Sequence, residues 1–450
     1  MTVRAIASDD IAPIGFWTSV ALVMGNMIGS GVFLLPSSLA PYGGISLLGW
    51  IVSAGGSIAI ALVFARLARF SPNRGGPYVY TRLAYGDLAG FLVAWGYWIS
   101  IWTANAALAV AFVGYLGPFI PSIVQQPPLA ALLAIAVIWL LTFVNILGVR
   151  LAGRVQLLTT ALKLMPLVII GLAGLVMFDP THFRISGPEA SDARALMRSV
   201  MATVTLTLWA FVGLESATIP ASSTVDAERT VPRATIAGTV LTAIVYVVAT
   251  VGVMSLVDPA TLGKSTAPFA DAARALAGDR AAGFIALGAA ISCFGALNGW
   301  VLVVGQFPGT LAKDGLLPPA FARLTTRGTP AFAMIVAAIL STALVAMNYS
   351  RGLVDLFTFI ILLATLACLV PYTFCSLAAF ILHRRNPKLP WSAGATGLSA
   401  FGFCYALFAI GGAGPQVVFW GFLLLLAGLA VYAVVAKPVP EGVIPGSVRQ

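Results

Sequence analysis

Runs of about twenty apolar residues, each long enough to cross a bilayer as a helix, recur along nearly the whole chain. They fall at 14–36, 44–66, 88–116, 129–148, 155–178, 199–219, 234–257, 281–308, 330–349, 354–382, 394–411 and 416–436. The pattern predicts an all-α polytopic membrane protein with 12 transmembrane helices, because a helix satisfies its own backbone where lipid cannot. The polar stretches between the runs are too short for a separate water-soluble domain. Residues 1–12 therefore read as an N-terminal tail, 13–436 as one transmembrane domain and 437–450 as a C-terminal tail.

Two of the runs carry an internal fault. The first contains Gly25-Asn26-Met27-Ile28-Gly29-Ser30-Gly31, and the sixth contains Phe211-Val212-Gly213. A glycine inside a helix costs roughly 1 kcal/mol relative to alanine. Irregular backbone at membrane depth survives only where protein surrounds it or a polar cavity meets it. A helix broken there presents N–H groups from one half and carbonyls from the other, which is how many transporters hold a small zwitterion. Close packing of a neighbouring helix is the alternative use of such glycines.

Five spans begin with the first fault and the next five begin with the second. An odd number of spans places the two halves in opposite topology, so 13–178 and 199–382 are expected to form an inverted repeat, with 394–436 as two added helices. No identity between the halves is visible by eye, and hydropathy with the two faults carries that expectation.

Composition adds the direction. The chain of 450 residues is 60% apolar and 9% charged, with a formal net charge of +10. With the N-terminus in the cytoplasm and alternating spans, seventeen Lys/Arg fall on the cytoplasmic side and seven outside, while acidic residues divide seven and seven. This obeys the positive-inside rule and predicts cytoplasmic termini. The basic balance thus reports topology, and no nucleic-acid partner is expected. The lead-in before the first span is short and includes Asp9-Asp10, so that span is expected to stay rather than be removed as a signal peptide. Cys293, Cys368, Cys375 and Cys404 lie in apolar spans without paired spacing and read as small hydrophobes. With His182 and His383 isolated and no phosphate-cradling motif in the chain, neither a metal nor a cofactor is expected.

One base and one acid belong to no loop: Lys163 and Glu215. Ionisable residues at membrane depth are costly and are functional candidates by default. Lys163 lies roughly 13 Å beyond Arg154 at the helical rise per residue, too deep for its stem alone to reach water. It either tethers two helices through backbone carbonyls or takes part in coupling. Glu215 is a candidate for gating or pH response; cross-linking of helices is its structural alternative.

Several stretches together resemble the amino acid–polyamine–organocation superfamily. The first fault continues into Val32-Phe33-Leu34-Leu35-Pro36 and is similar to the family's first-helix signature. Arg74-Gly75-Gly76-Pro77-Tyr78-Val79-Tyr80 resembles its loop after helix two. Leu208-Trp209-Ala210-Phe211-Val212-Gly213-Leu214-Glu215-Ser216-Ala217 resembles its helix-six signature. Further matches are Glu228-Arg229-Thr230-Val231-Pro232-Arg233-Ala234, Asp314-Gly315-Leu316-Leu317-Pro318 and Leu369-Val370-Pro371-Tyr372. The likeness spans about residues 12–436 and comes nearest the basic amino acid/polyamine antiporters, arginine/agmatine exchangers in particular. It implies the LeuT-type fold, 5+5 inverted helices plus two, in a bacterial inner membrane, often as a homodimer.

The resemblance also implies site residues. Backbone N–H groups around Ser30 and Gly31, with the Ser30 hydroxyl, would receive a substrate carboxylate. Carbonyls of Met27, Trp209 and Val212 would take the α-ammonium. Asn105, Trp300 and Ala364 match positions around the distal group, Asn105 as an acceptor and Trp300 as a cation–π face, and Ser100 and Ile101 are further substrate-binding candidates. Trp209 would close over the substrate, and Tyr97, Lys163, Glu215 and Tyr372 match gating, pH-sensing or coupling positions. Two departures bear on specificity: Ala364 stands where the exchangers have a small polar residue, and Lys163 resembles the helix-five lysine of sodium-independent relatives that carry neutral amino acids.

The expected function is secondary transport without covalent chemistry, by exchange of a cationic amino acid (arginine) for its decarboxylated amine (agmatine). A neutral amino acid exchanger or proton symporter using Lys163 is the alternative. A membrane sensor or channel would call for a soluble domain or a continuous polar pore lining, and neither pattern is evident.

Overall fold

The computed structural model describes residues 15–70, 76–147, 164–185, 187–214, 224–385 and 392–435. Both terminal tails, Lys163 and Glu215 lie outside the described residues. The regular elements are helices: α1 (Phe16–Met27), α2 (Ser30–Leu39), α3 (Ile45–Phe70), α4 (Pro77–Tyr85), α5 (Asp87–Leu116), α6 (Pro127–Leu147), α7 (Leu164–Val176), α8 (Ala193–Leu208), α9 (Ala227–Leu256), α10 (Pro268–Lys313), α11 (Ala331–Met347), α12 (Leu353–Arg385), α13 (Ala393–Gly412) and α14 (Pro415–Val435). Eight of these described helices are long and apolar enough to cross a membrane: α3, α5, α6, α9, α10, α12, α13 and α14. The stretch expected as the first span is divided into α1 and α2. The one expected at 281–308 starts earlier, at Pro268, and bends where Ala277 and Gly278 leave helical geometry.

Packing sorts most of the helices into two groups. One contains α1, α3, α8 and α9, in which α3 lies against both α8 and α9 and α1 lies against α9. The other contains α5, α6, α10 and α11, each packed on the other three. Helix α12 lies along both α5 and α3 and so spans the division, while α13 and α14 cover its outer side. Interhelical hydrogen bonds strengthen each group internally. Asn145 Nδ2 donates to Asn298 Oδ1 at 2.9 Å, Trp98 Nε1 to the Val304 carbonyl at 3.2 Å, and Ser341 Oγ to the Trp102 carbonyl at 2.7 Å, all within the second group. In the first group Thr207 Oγ1 donates to the Gly49 carbonyl at 3.1 Å. Each pairs polar groups that neither lipid nor water would satisfy.

The expectation that the two halves share no visible sequence needs correction at one place. At the start of α5, Arg82-Leu83-Ala84-Tyr85-Gly86-Asp87 makes a corner, and Arg274-Ala275-Leu276-Ala277-Gly278-Asp279 makes a second within α10. Gly86 (φ 94°, ψ −176°) and Gly278 (φ 78°, ψ −171°) take nearly the same left-handed conformation, one that disfavours any side chain. In each corner the arginine Nε donates to Oδ1 of the aspartate five positions on, at 2.6 Å and 2.9 Å. A proline begins both arms, Pro77 and Pro268, but the second arm has one more residue before its arginine. The arginine, glycine and aspartate keep identical spacing in the two corners, and only the prolines fall out of register.

Candidate functional site

Helix α1 stops at Met27 because the next two residues leave helical space, Ile28 at φ −74°, ψ 92° and Gly29 at φ −130°, ψ −145°. Helix α2 restarts at Ser30, and its N-cap Gly29 supplies no side-chain hydrogen bond. The first N–H groups of α2 and the last carbonyls of α1 thus border the same break, where helix ends lack their usual intrahelical partners, although the Met24 carbonyl still accepts the Ile28 N–H at 2.8 Å. The N-terminus of α2 carries the positive end of its dipole and suits a carboxylate. The second break follows α8: Trp209–Phe211 form a 3₁₀ turn, Val212 is extended and Gly213 adopts φ 106°. The Trp209 carbonyl accepts the Val212 N–H at 3.2 Å, so one of the three carbonyls expected to receive an ammonium is already engaged.

A cavity of about 30 Å³, counting only space a water centre can enter, lies between the two breaks. Met27, Gly29 and Gly31 border it from the first break, and Trp209 and Val212 from the second. Helix α5 contributes Tyr97, Ser100, Ile101, Ala104 and Leu108, and α10 contributes Trp300. The volume suffices for a water or two, and a substrate of amino acid size requires the wall to move. The indole of Trp209 is the part of that wall set against the first break. A Cβ on Gly31 would come within 2.9 Å of Trp209 Cδ1 and Nε1, so only glycine lets the indole lie there. Trp209 Nε1 is buried without a hydrogen-bond partner, an arrangement that a substrate oxygen could relieve.

Met27, Gly31, Tyr97, Ser100, Ile101, Trp209, Val212 and Trp300, expected from the sequence, all come together on this cavity. Of Ser30 only the backbone is described. Asn105 is buried beside the cavity but does not border it; it stands about 100° round α5 from Ala104, which does. Its Oδ1 has no hydrogen-bond partner. Ala364 and Tyr372 are fully buried on α12 and also lie off the wall. The Tyr372 ring packs edge-on against Phe64 of α3 at 5.8 Å. Ala104 and Leu108 carry no chemical mark in the sequence, yet the spacing 97, 101, 104, 108 traces one helical stripe and could have found them. The Ser100 hydroxyl donates to the Tyr97 carbonyl at 2.7 Å, which leaves its oxygen to act only as an acceptor.

Away from the cavity, α4 is fastened by a polar cluster. Tyr78 Oη donates to Asp314 Oδ2 at 2.8 Å, and Arg82 Nη1 lies 3.2 Å from the same carboxylate and 3.1 Å from Tyr78 Oη. Burial and the hydrogen bond to Asp314 push the Tyr78 hydroxyl well above the usual phenol range, so it stays protonated. Burial likewise raises Tyr85 to about 12, and its hydroxyl donates to the Phe374 carbonyl at 3.2 Å.

Comparison with known proteins agrees with this architecture. The family described as "Amino acid permease" matches residues 14–423. The cadaverine/lysine antiporter of Escherichia coli (strain K12) is 35% identical over 369 residues, 80% of this chain and 81% of the relative. The putrescine transporter PotE of Haemophilus influenzae is 32% identical over 425 residues, 94% of this chain and 97% of the relative. The putative arginine/ornithine antiporter of Bacillus subtilis is 34% identical, with 94% and 97% covered. These are transporters and not enzymes. Two helix breaks, a cavity between them and similarity along most of the chain lead to one conclusion: the protein belongs to the amino acid permease family, in the basic amino acid/polyamine antiporter branch of the amino acid–polyamine–organocation superfamily.

Proposed function

We propose that this protein exchanges a cationic amino acid for its decarboxylated amine across the bacterial inner membrane by alternating access. The observation that carries the proposal is the cavity itself, set between two breaks, with indoles on two sides and no charged side chain among the described residues that line it. The first N–H groups of α2 suit a carboxylate, and an indole face attracts a cation by about 0.5–2 kcal/mol. The amine product lacks the carboxylate and would leave those N–H groups to water. On this reading the chain has twelve spans in the LeuT-type arrangement, with both termini cytoplasmic. The matching corners at Gly86 and Gly278 support an inverted repeat.

The wall favours an ammonium over a guanidinium. Five guanidinium donors need several acceptors, whereas an ammonium is a compact charge with three. Neither Ala364 nor Asn105 borders the cavity; among the described residues that do, the Ser100 oxygen is a side-chain acceptor, and Asn105 Oδ1 lies unpartnered one helical step away. The lysine and cadaverine named for one relative have this chemistry. We therefore place lysine and its diamine ahead of arginine and agmatine, the pair implied by the sequence resemblance. Counterflow in proteoliposomes loaded with lysine, cadaverine, arginine, agmatine, ornithine, alanine or serine tests the proposal. Lysine and cadaverine should exchange fastest; uptake of alanine or serine alone would replace this reading with the neutral one that Lys163 suggests. Trp300→Leu should weaken cationic substrates roughly 2- to 30-fold and leave any neutral substrate nearly unchanged, as measured by competition in the same assay.

A further inference from the structure

The two half-helices of the first break are held very differently. Among the described residues α1 packs chiefly on α9, inside its own group. Helix α2 packs on α5, α10 and α12 as well as on α9. Three fully buried aromatic rings meet there: Phe33 of α2 lies edge-on to Tyr115 of α5 at 6.0 Å and to Phe269 of α10 at 5.5 Å. Tyr115 Oη donates to the Phe33 carbonyl at 2.6 Å and accepts from the Phe269 N–H at 3.5 Å. Farther along α2, Ser37 Oγ donates to the Ser265 carbonyl at 2.7 Å, and Ser38 Oγ lies 2.7 Å from Thr358 Oγ1 of α12.

The bond from Tyr115 has a property that the other interhelical bonds described above lack. Asn145–Asn298, Trp98–Val304 and Ser341–Trp102 stay within one helix group and persist if the groups turn as rigid bodies. The bond from Tyr115 to Phe33 joins a helix of one group to the half-helix that continues a helix of the other. It must break whenever α2 leaves α5. Rigid groups that exchange one set of interface contacts for another are the ordinary means of such switching.

We propose that Tyr115, together with the Ser38–Thr358 pair, is the latch that holds the α2 face of this transporter shut between substrates. With the termini cytoplasmic that face is periplasmic. The latch rests on the alternating-access reading above, and nothing in it depends on which amine is carried. Opening on this side separates the Phe33 carbonyl from Tyr115 and the Ser38 hydroxyl from Thr358, and parts the cavity wall between Gly31 of α2 and the lining stripe of α5. Losing one such bond should shift the ratio of open to shut by roughly fivefold, the effect of one net hydrogen bond on a two-state equilibrium.

The test uses the full-length chain with its four cysteines replaced by alanine and Ala104→Cys as reporter in the cavity wall. A membrane-impermeant methanethiosulfonate is applied to intact cells and to inside-out vesicles. Tyr115→Phe, which keeps the ring, and Ser38→Ala should each raise labelling from the periplasmic side roughly fivefold and lower it from the cytoplasmic side. Ser341→Ala, which removes a bond inside one group, should leave both rates unchanged. Equal changes on both sides, or none, with Tyr115→Phe and Ser38→Ala would overturn the latch. A reporter that neither face labels in the unmutated background, with no counterflow, would instead defeat alternating access, and the latch with it.

Discussion

The corners at Gly86 and Gly278 have the same backbone and the same arginine–aspartate pair, yet they are tied to different things. Arg82 reaches beyond Asp87 to Asp314 at the end of α10, where Tyr78 also binds. Both Arg82 and Asp314 are about two-thirds shielded from solvent. Arg274 reaches only Asp271, three residues back on its own arm, and Asp279, which is almost fully exposed. The first corner is anchored to a distant helix. The second is braced against itself, and its arm reaches α2 through Phe269 instead. One local motif thus serves as an anchor on one side and as the frame of a movable contact on the other. The difference lies in the third partner, which the motif does not contain.

The largest loss is expected at the anchor. Arg82→Met removes the cation that faces Asp87 and Asp314, and should lower stability in detergent by about 2 kcal/mol, the range for hydrogen bonds to charged groups discounted for partial exposure. Thermal unfolding followed by circular dichroism reads that loss, and an unchanged midpoint would reduce the anchor to a surface pair. Next come the glycines. Gly86→Ala and Gly278→Ala should each cost about 1 kcal/mol, because both need a positive φ that a Cβ resists. Similar losses would support equivalent corners; a large disparity would make their likeness superficial. Weaker still is Arg274→Met, expected to cost less than about 0.5 kcal/mol since its partners are exposed or local. A double-mutant cycle sharpens the contrast: Arg82 with Asp314 should couple by about 1 kcal/mol and Arg274 with Asp279 by a few tenths.

Much of this was legible in the chain. Glycine density within an apolar run pointed to the break at Ile28–Gly29, because a helix interior in lipid punishes such residues. Trp209 and Trp300 were legible through the motifs around them. Ala104 and Leu108 carry no chemical mark, since apolar residues line a cavity wall and a packed core alike, and only their place on the stripe through Tyr97 and Ile101 could have singled them out. Asn105 has the right chemistry yet stands one helical step off the wall; a span's sequence leaves its rotation about its own axis open. The corner repeat was present in the letters, as an arginine, a glycine and an aspartate at identical spacing within otherwise different stretches.

A membrane-spanning helical transporter with two weak points in its helices follows from the amino-acid order alone. Hydropathy is a partition between water and lipid, settled run by run from local composition, and a glycine's backbone freedom is equally local. The tertiary structure decided which helices form each group, which hydroxyls are already spent on carbonyls, and that Tyr115 reaches Phe33 across 82 positions of chain. Those outcomes depend on side chains brought together from distant segments, so no single stretch of sequence contains them.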